Sequence, residues 1–200
     1  MSGMSRVYLV RHGQVLGYET FPAYGHKDID LTEVGMLQAE HLAEKLRLAE
    51  IEAIYSSDLK RCVTGARIIA RYHDVPLHVM PELREIHFGA WEGLSLSDIR
   101  KRFPEELEKR QAGLLTYRIP GNGESIQEFS ERITTSFRKI LDQQNGHHFL
   151  LVGHGAVNRI ILCGALGLDI KRMFSIHQDY GCLNIIDYLP DSTLVRLVNG

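Results

Sequence analysis

Phe149-Leu-Leu-Val-Gly-His-Gly-Ala-Val-Asn-Arg-Ile-Ile-Leu-Cys-Gly-Ala-Leu166 runs from one apolar stretch, through a Gly-His-Gly turn, into another. Phe149 to Val152 reads as a strand buried on both faces. Gly153-His154-Gly155 interrupts it, and Val157 to Leu166 reads as an apolar helix. The pattern recurs. Val7-Tyr-Leu-Val10 reads as a buried strand and leads into Arg11-His12-Gly13. Polar, glycine-bearing sequence follows to Asp30. Thr32 can then cap a helix to Leu46, with Ala39, Leu42, Ala43 and Leu46 on one face. Ile51 to Tyr55 reads as a strand, and Ser56-Ser57-Asp58 offers capping oxygens for a helix to Arg71.

Further along, Leu77 to Met80 reads as a third strand, and Trp91 to Pro120 as short helices and loops. Ser125 opens the clearest helix, with Ile126, Phe129, Ile133, Phe137, Ile140 and Leu141 at helical spacing. Leu183 to Tyr188 and Leu194 to Val198 read as closing strands. Strands alternating with helices predict an α/β three-layer sandwich around a mostly parallel sheet. No repeat or linker divides the chain, so residues 1–200 read as one domain, with residues 1–5 as an N-terminal extension.

Composition narrows the function classes. The 200 residues are 44% hydrophobic and 24% charged, with net charge −2. A chain of this size buries roughly 70% of its unfolded surface and needs no staples. The balanced charge speaks against a nucleic-acid or membrane-surface binder. Cys62, Cys163 and Cys182 are too scattered for a disulfide framework or a zinc knuckle, which points to a reducing, cytoplasmic setting. No leader-like segment opens the chain, and no window has the apolar length of a membrane span.

In α/β sheets, ligands bind beyond the carboxyl ends of the strands. The chemically loaded residues stand at those ends: Arg11-His12-Gly13, then Ser56-Ser57-Asp58 with Arg61, then Glu85, then Gly153-His154-Gly155. Two arginines suggest an oxyanion, because the guanidinium fork matches phosphate oxygens. Gly13 and Gly155 remove side chains beside the histidines, which would let a tetrahedral group approach the backbone. His12 can act as a covalent nucleophile if one ring nitrogen is free and the other holds its proton against a carbonyl. Arg11, Arg61 and a protonated His154 would then stabilise the equatorial oxygens. Glu85 is the candidate acid for the leaving alkoxide, with Glu82 as the alternative. No metal or other cofactor is needed, because the cationic side chains take a metal's electrostatic role.

These residues resemble the histidine phosphatase superfamily, the phosphoglycerate-mutase-like proteins. The resemblance runs from Val7 to Leu189. It rests on Leu9-Val-Arg-His-Gly-Gln14, Gly25-His-Lys-Asp-Ile-Asp-Leu-Thr32, Tyr55-Ser-Ser-Asp-Leu-Lys-Arg61, Glu82-Leu-Arg-Glu85, Gly123-Glu-Ser125 and Val152-Gly-His-Gly155. It implies a phosphohistidine at His12, a phosphate pocket of Arg11, Arg61 and His154, and an acid at Glu85. Gln14, Gly155, Tyr24 and Gly25 join the expected substrate contacts. Gln14 stands where many members carry Glu, and Gly153 where Ala or Ser is commoner.

The short segment between Glu85 and His154 resembles the compact phosphatases rather than the mutases. Ile119 to Arg132 and Asp179 to Asp187 are similar to α-ribazole phosphatases of cobalamin assembly. The resemblance therefore implies a metal-independent hydrolase of small phosphomonoesters, with α-ribazole 5′-phosphate as the leading substrate. A broad-specificity phosphatase, a phosphoglycerate mutase and an inactive binding module are the alternatives. A homodimer is compatible with all of them.

The remaining candidates have ordinary readings. Adjacent His147 and His148 point to opposite sides and read as solvated rather than as a metal pair. Trp91 and the Phe129 stripe read as core, and Arg100-Lys-Arg102 as a solvated face. His26, Tyr24 and His87 stand where loops would line a pocket mouth.

Overall fold

The computed structural model describes residues 3–20 and 23–200. Six strands form one sheet in the order β3-β2-β4-β1-β5-β6. The strands are β1 (Ser5–Arg11), β2 (Ala53–Ser57), β3 (Leu77–Met80), β4 (Phe149–Gly153), β5 (Leu183–Tyr188) and β6 (Thr193–Leu197). The first four run parallel, with β1 beside β4, β4 beside β2, and β2 beside β3. β5 lies antiparallel to β1, and β6 antiparallel to β5.

Alternation along the central strands divides the core. Val7 and Leu9 of β1, with Phe149 and Leu151 of β4, face α5 (Ile126–Gln143) and α6 (Gly155–Leu166). Tyr8, Val10, Leu150 and Val152 face the other way, against α1 (Glu33–Leu46) and α2 (Lys60–Ala70). Side chains of period two on the strands thus bury both sheet faces. The predicted three-layer sandwich is what forms. α3 (Leu96–Arg102) and α4 (Pro104–Ala112) lie between β3 and α5, over a separate small core around Trp91, Ile99 and Ile119.

Local chemistry sets the helix starts. Thr32 caps α1 by accepting from the Gly35 N–H at 3.0 Å. Ser125 and Glu128 form a reciprocal capping box at α5. Three expectations change. Ser5 belongs to β1 rather than to an extension: it is buried, and its Oγ donates to the Gln144 carbonyl at 2.9 Å. β2 starts and ends two residues later than the apolar run Ile51–Tyr55, because its pairing with β4 continues through Ser56 opposite Val152. Ser57 and Asp58 do not cap α2, whose N-cap is Leu59. Asp58 instead makes a forked pair with Arg84, at 2.7 and 2.5 Å.

Candidate active site

The carboxyl ends of β1, β2 and β4 carry Arg11, Ser57 and Gly153, and the segments that follow meet around one cavity of about 190 Å³. That is below the roughly 300–1,000 Å³ typical of pockets for drug-sized ligands, so it suits a phosphoryl group with a small remainder inside. Arg11, His12, Tyr24, Gly25, Arg61, Glu85 and Gly155 all line it. Two predicted contacts do not. Gln14 turns aside, its Oε1 accepting from Thr32 Oγ1 at 2.9 Å. His154 lies fully buried behind the lining, its ring 5.1 Å from that of His12 and edge-on to it.

His12 Nδ1 lies 2.8 Å from the Gly13 carbonyl. A carbonyl only accepts, so Nδ1 carries the proton and Nε2 keeps its lone pair. Burial, then Arg61 and Arg11, push the His12 pKa well below the ordinary histidine value. The ring is therefore neutral at physiological pH.

The same causes in the same order, burial and then Arg61, hold His154 well below that value. Arg61 Nε donates to His154 Nδ1 at 3.3 Å, so Nε2 carries the proton and donates to Ser57 Oγ at 2.9 Å. A protonated His154 is not what the free cavity holds: Nδ1 already faces a donor, and desolvation beside two guanidiniums makes a third cation costly.

The guanidiniums are held by carbonyls rather than carboxylates. Arg61 is 1% exposed and donates to Gly25 O at 2.8 Å and Lys27 O at 2.7 Å. Gly25 has φ +50, and a Cβ there would lie 2.3 Å from Glu92 Oε1. Arg11 donates to Gln178 O at 2.6 Å, and its guanidinium carbon lies 3.8 Å from the centre of the Tyr180 ring. Arg11 Nε is a buried donor without a partner among the described residues. Glu85 Oε1 accepts from its neighbour Ile86 N–H at 2.9 Å, and Oε2 from Ala156 N–H at the start of α6 at 3.0 Å.

Of the two glycines, Gly13 departs from expectation. Gly155 lines the cavity, and a Cβ there would project to 3.4 Å from Arg11 Nε. Gly13 serves the backbone instead: a Cβ there would lie 2.2 Å from the Gly35 carbonyl oxygen, so the His12 turn presses directly on α1. His26 Nε2 lies 2.9 Å from the Glu85 carbonyl, and its ring lies tilted against that of His87 with centres 4.5 Å apart; neither ring is in the cavity lining. Tyr24, the third mouth candidate, does line it. His147 meets Glu52 while His148 Nδ1 accepts from Arg6 N–H, so the two rings diverge as expected. Trp91 and Phe129 are buried, and Arg100, Lys101 and Arg102 are exposed.

Sequence reading missed two cationic lining residues, Arg110 of α4 and Arg159 of α6. Arg159 stands four residues after Gly155, so helical spacing put it on the same face. Arg110 had no such signal. Phe129 and Phe174 add apolar wall.

A mostly parallel sheet whose strand ends bring a neutral histidine, a carboxylate and guanidiniums to one small cavity, with a second neutral histidine buried behind its wall, defines an α/β enzyme that handles phosphate. The chain belongs to the histidine phosphatase superfamily (branch 1), whose family model matches residues 7–200. The "Adenosylcobalamin/alpha-ribazole phosphatase" of Escherichia coli (strain K12) is 28% identical over 98% of this chain and 96% of its own. The "Phosphoglycerate mutase-like protein 4" of Arabidopsis thaliana is 34% identical over 78% of this chain and 68% of its own. The crystal structure of the alpha-ribazole phosphatase from Shigella flexneri superposes with TM-score 0.88 at 28% identity, covering 98% and 96% of the two chains. The protein is a phosphoric monoester hydrolase of this superfamily.

Proposed function

We propose that the chain, working as one domain, hydrolyses a small phosphomonoester through a phosphohistidine at His12, with α-ribazole 5′-phosphate as the leading substrate. The observation that carries this reading is the Nδ1–H bond to the Gly13 carbonyl, which leaves Nε2 unprotonated beside a positively charged cavity. Nε2 attacks phosphorus, an N–P bond forms and the ester P–O bond breaks. Glu85 gives its proton to the departing oxygen. Water then attacks phosphorus, Glu85 takes a proton back, the N–P bond breaks and inorganic phosphate leaves. Arg11 and Arg61 hold the equatorial oxygens, and the buried His154 contributes a neutral dipole next to them.

The substrate assignment draws on the relatives named for α-ribazole, which align over almost the whole chain. Three free, buried cysteines support a cytoplasmic setting. Rapid-quench labelling with a ³²P-labelled phosphate ester is expected to put label on His12, and His12→Ala to abolish turnover while keeping the wild-type circular dichroism spectrum. Label on any other residue, or an active His12→Ala enzyme, removes the nucleophile assignment. A phosphate-release screen containing α-ribazole phosphate, sugar phosphates and phosphoglycerates tests the substrate.

A further inference from the structure

We propose that Arg132, on the second turn of α5, is a positioning residue for the proton donor, clamping the segment 82–87 from outside the cavity. The inference rests on the reading of Glu85 as the acid. A guanidinium has five N–H donors in a rigid fork, and all five of Arg132's are engaged. Nε and Nη2 each donate to a Glu124 oxygen at 2.7 Å. Nη1 donates to the Glu82 carbonyl at 2.7 Å and the Arg84 carbonyl at 3.0 Å. Nη2 also reaches the Glu85 carbonyl at 3.3 Å. Glu124 Oε2 in turn accepts from the His87 N–H at 2.9 Å.

One ion pair therefore grips the backbone on both sides of Glu85. Burial alone would push Glu124 up; the Arg132 guanidinium and the His87 N–H outweigh it and hold Glu124 below the usual carboxylate range, so the pair stays charged. The Glu85 carboxylate itself is held by backbone N–H groups, one of them within the gripped segment. Any shift of that segment therefore moves the carboxylate. A misplacement of about 1 Å at a reacting group can cost on the order of 10²-fold in rate. Arg132 is absent from the cavity lining, whereas Arg11 and Arg61 line it. Its loss should therefore fall on proton donation and spare the phosphoryl pocket.

Leaving-group dependence separates these effects. An aryl phosphate expels a stable phenolate that needs little help from an acid, whereas an alkyl phosphate needs the proton. In the full-length enzyme, Arg132→Lys keeps the charge but has three donors and no fork. For Arg132→Lys, as for Glu85→Gln, we expect kcat/KM for an alkyl phosphate to fall at least about 10-fold more than for 4-nitrophenyl phosphate. Added to Glu85→Gln, Arg132→Lys should cost less than about 3-fold more on the alkyl substrate, because both changes remove the same step. Equal losses on the two substrates, or full additivity with Glu85→Gln, overturn the positioning role. Should Arg132→Lys fail to fold, Glu124→Gln opens the clamp from its other side and carries the same expectation. If Glu85→Gln shows no leaving-group dependence, the acid reading falls and the clamp with it. If only Arg132→Lys lacks the dependence, the clamp alone falls.

Discussion

Replacing Arg61 with Met tests whether one buried guanidinium serves both electrostatics and architecture. Met fills much of the volume but donates nothing. Two consequences follow from the contacts. The buried Gly25 carbonyl loses its donor, at about 1–3 kcal/mol for an unsatisfied buried acceptor, while the carbonyl of exposed Lys27 can turn to water. At about 2 kcal/mol, the middle of that range, Tm falls by about 4–8 °C for a chain of this size. The second consequence is catalytic. Losing one preformed donor to developing charge costs about 2.7–4 kcal/mol, or about 10²–10³ in kcat.

Arg61 is also the largest charge depressing the His12 pKa after burial itself. Without it, the imidazole takes up a proton at higher pH, and the acid limb of the kcat/KM profile moves to higher pH. Arg61→Lys separates the effects: the charge remains, so the limb stays nearer its wild-type place while kcat still drops. The assay is a pH series of 4-nitrophenyl phosphate hydrolysis, well below the Tm of each variant. An Arg61→Met enzyme within about 5-fold of wild type, with an unmoved acid limb, would refute the reasoning.

Gly13→Ala should be far costlier than a usual glycine substitution. Its Cβ would meet backbone at 2.2 Å, so α1 or the His12 turn must move, at the upper end of about 1–3 kcal/mol or beyond. Differential scanning calorimetry should show a Tm loss, with activity falling alongside. Stability should also decline on mild acidification. His12 and His154 both have folded pKa values well below their unfolded value of about 6.5. Below that pH the unfolded chain binds protons that the folded chain refuses, so stability is present above about pH 6.5 and is lost as pH falls. The limiting slope for two such groups is roughly 2.7 kcal/mol per pH unit. Urea unfolding at pH 7.5, 6 and 5 should follow this trend, and a His154→Asn variant should show a shallower one. A slope unchanged in the variant would contradict burial of a neutral His154.

What was legible in the chain was local. The apolar runs at Val7–Val10 and Phe149–Val152, the caps at Thr32 and Ser125, and the stripe through Phe129 and Ile133 each carry their signal within a few residues. The strand-end rule likewise brought Arg11, His12, Arg61, Glu85 and Gly155 to one cavity. What failed depended on contacts distant in sequence. Ser57 resembled a cap, but its hydroxyl serves His154, 97 positions away. Asp58 looked the same and pairs with Arg84. Gln14 stands two residues after His12, yet Thr32 draws it aside. The lowered pKa of His154 has no local signal, because only the fold shuts that ring away from water. Arg110 and Arg132 stood in stretches whose spacing gave no reason to single them out.

The sheet order has a consequence for how the protein is made. β1, which leaves the ribosome before the other five strands, lies between β4 and β5. Its two neighbours begin only at Phe149 and Leu183. Until they emerge this apolar strand has both edges bare, open to pairing with another nascent copy. Arg11 likewise gains its carbonyl partner only when Gln178 emerges. Ribosome-bound chains arrested before about residue 180 should therefore need chaperone protection and be catalytically silent.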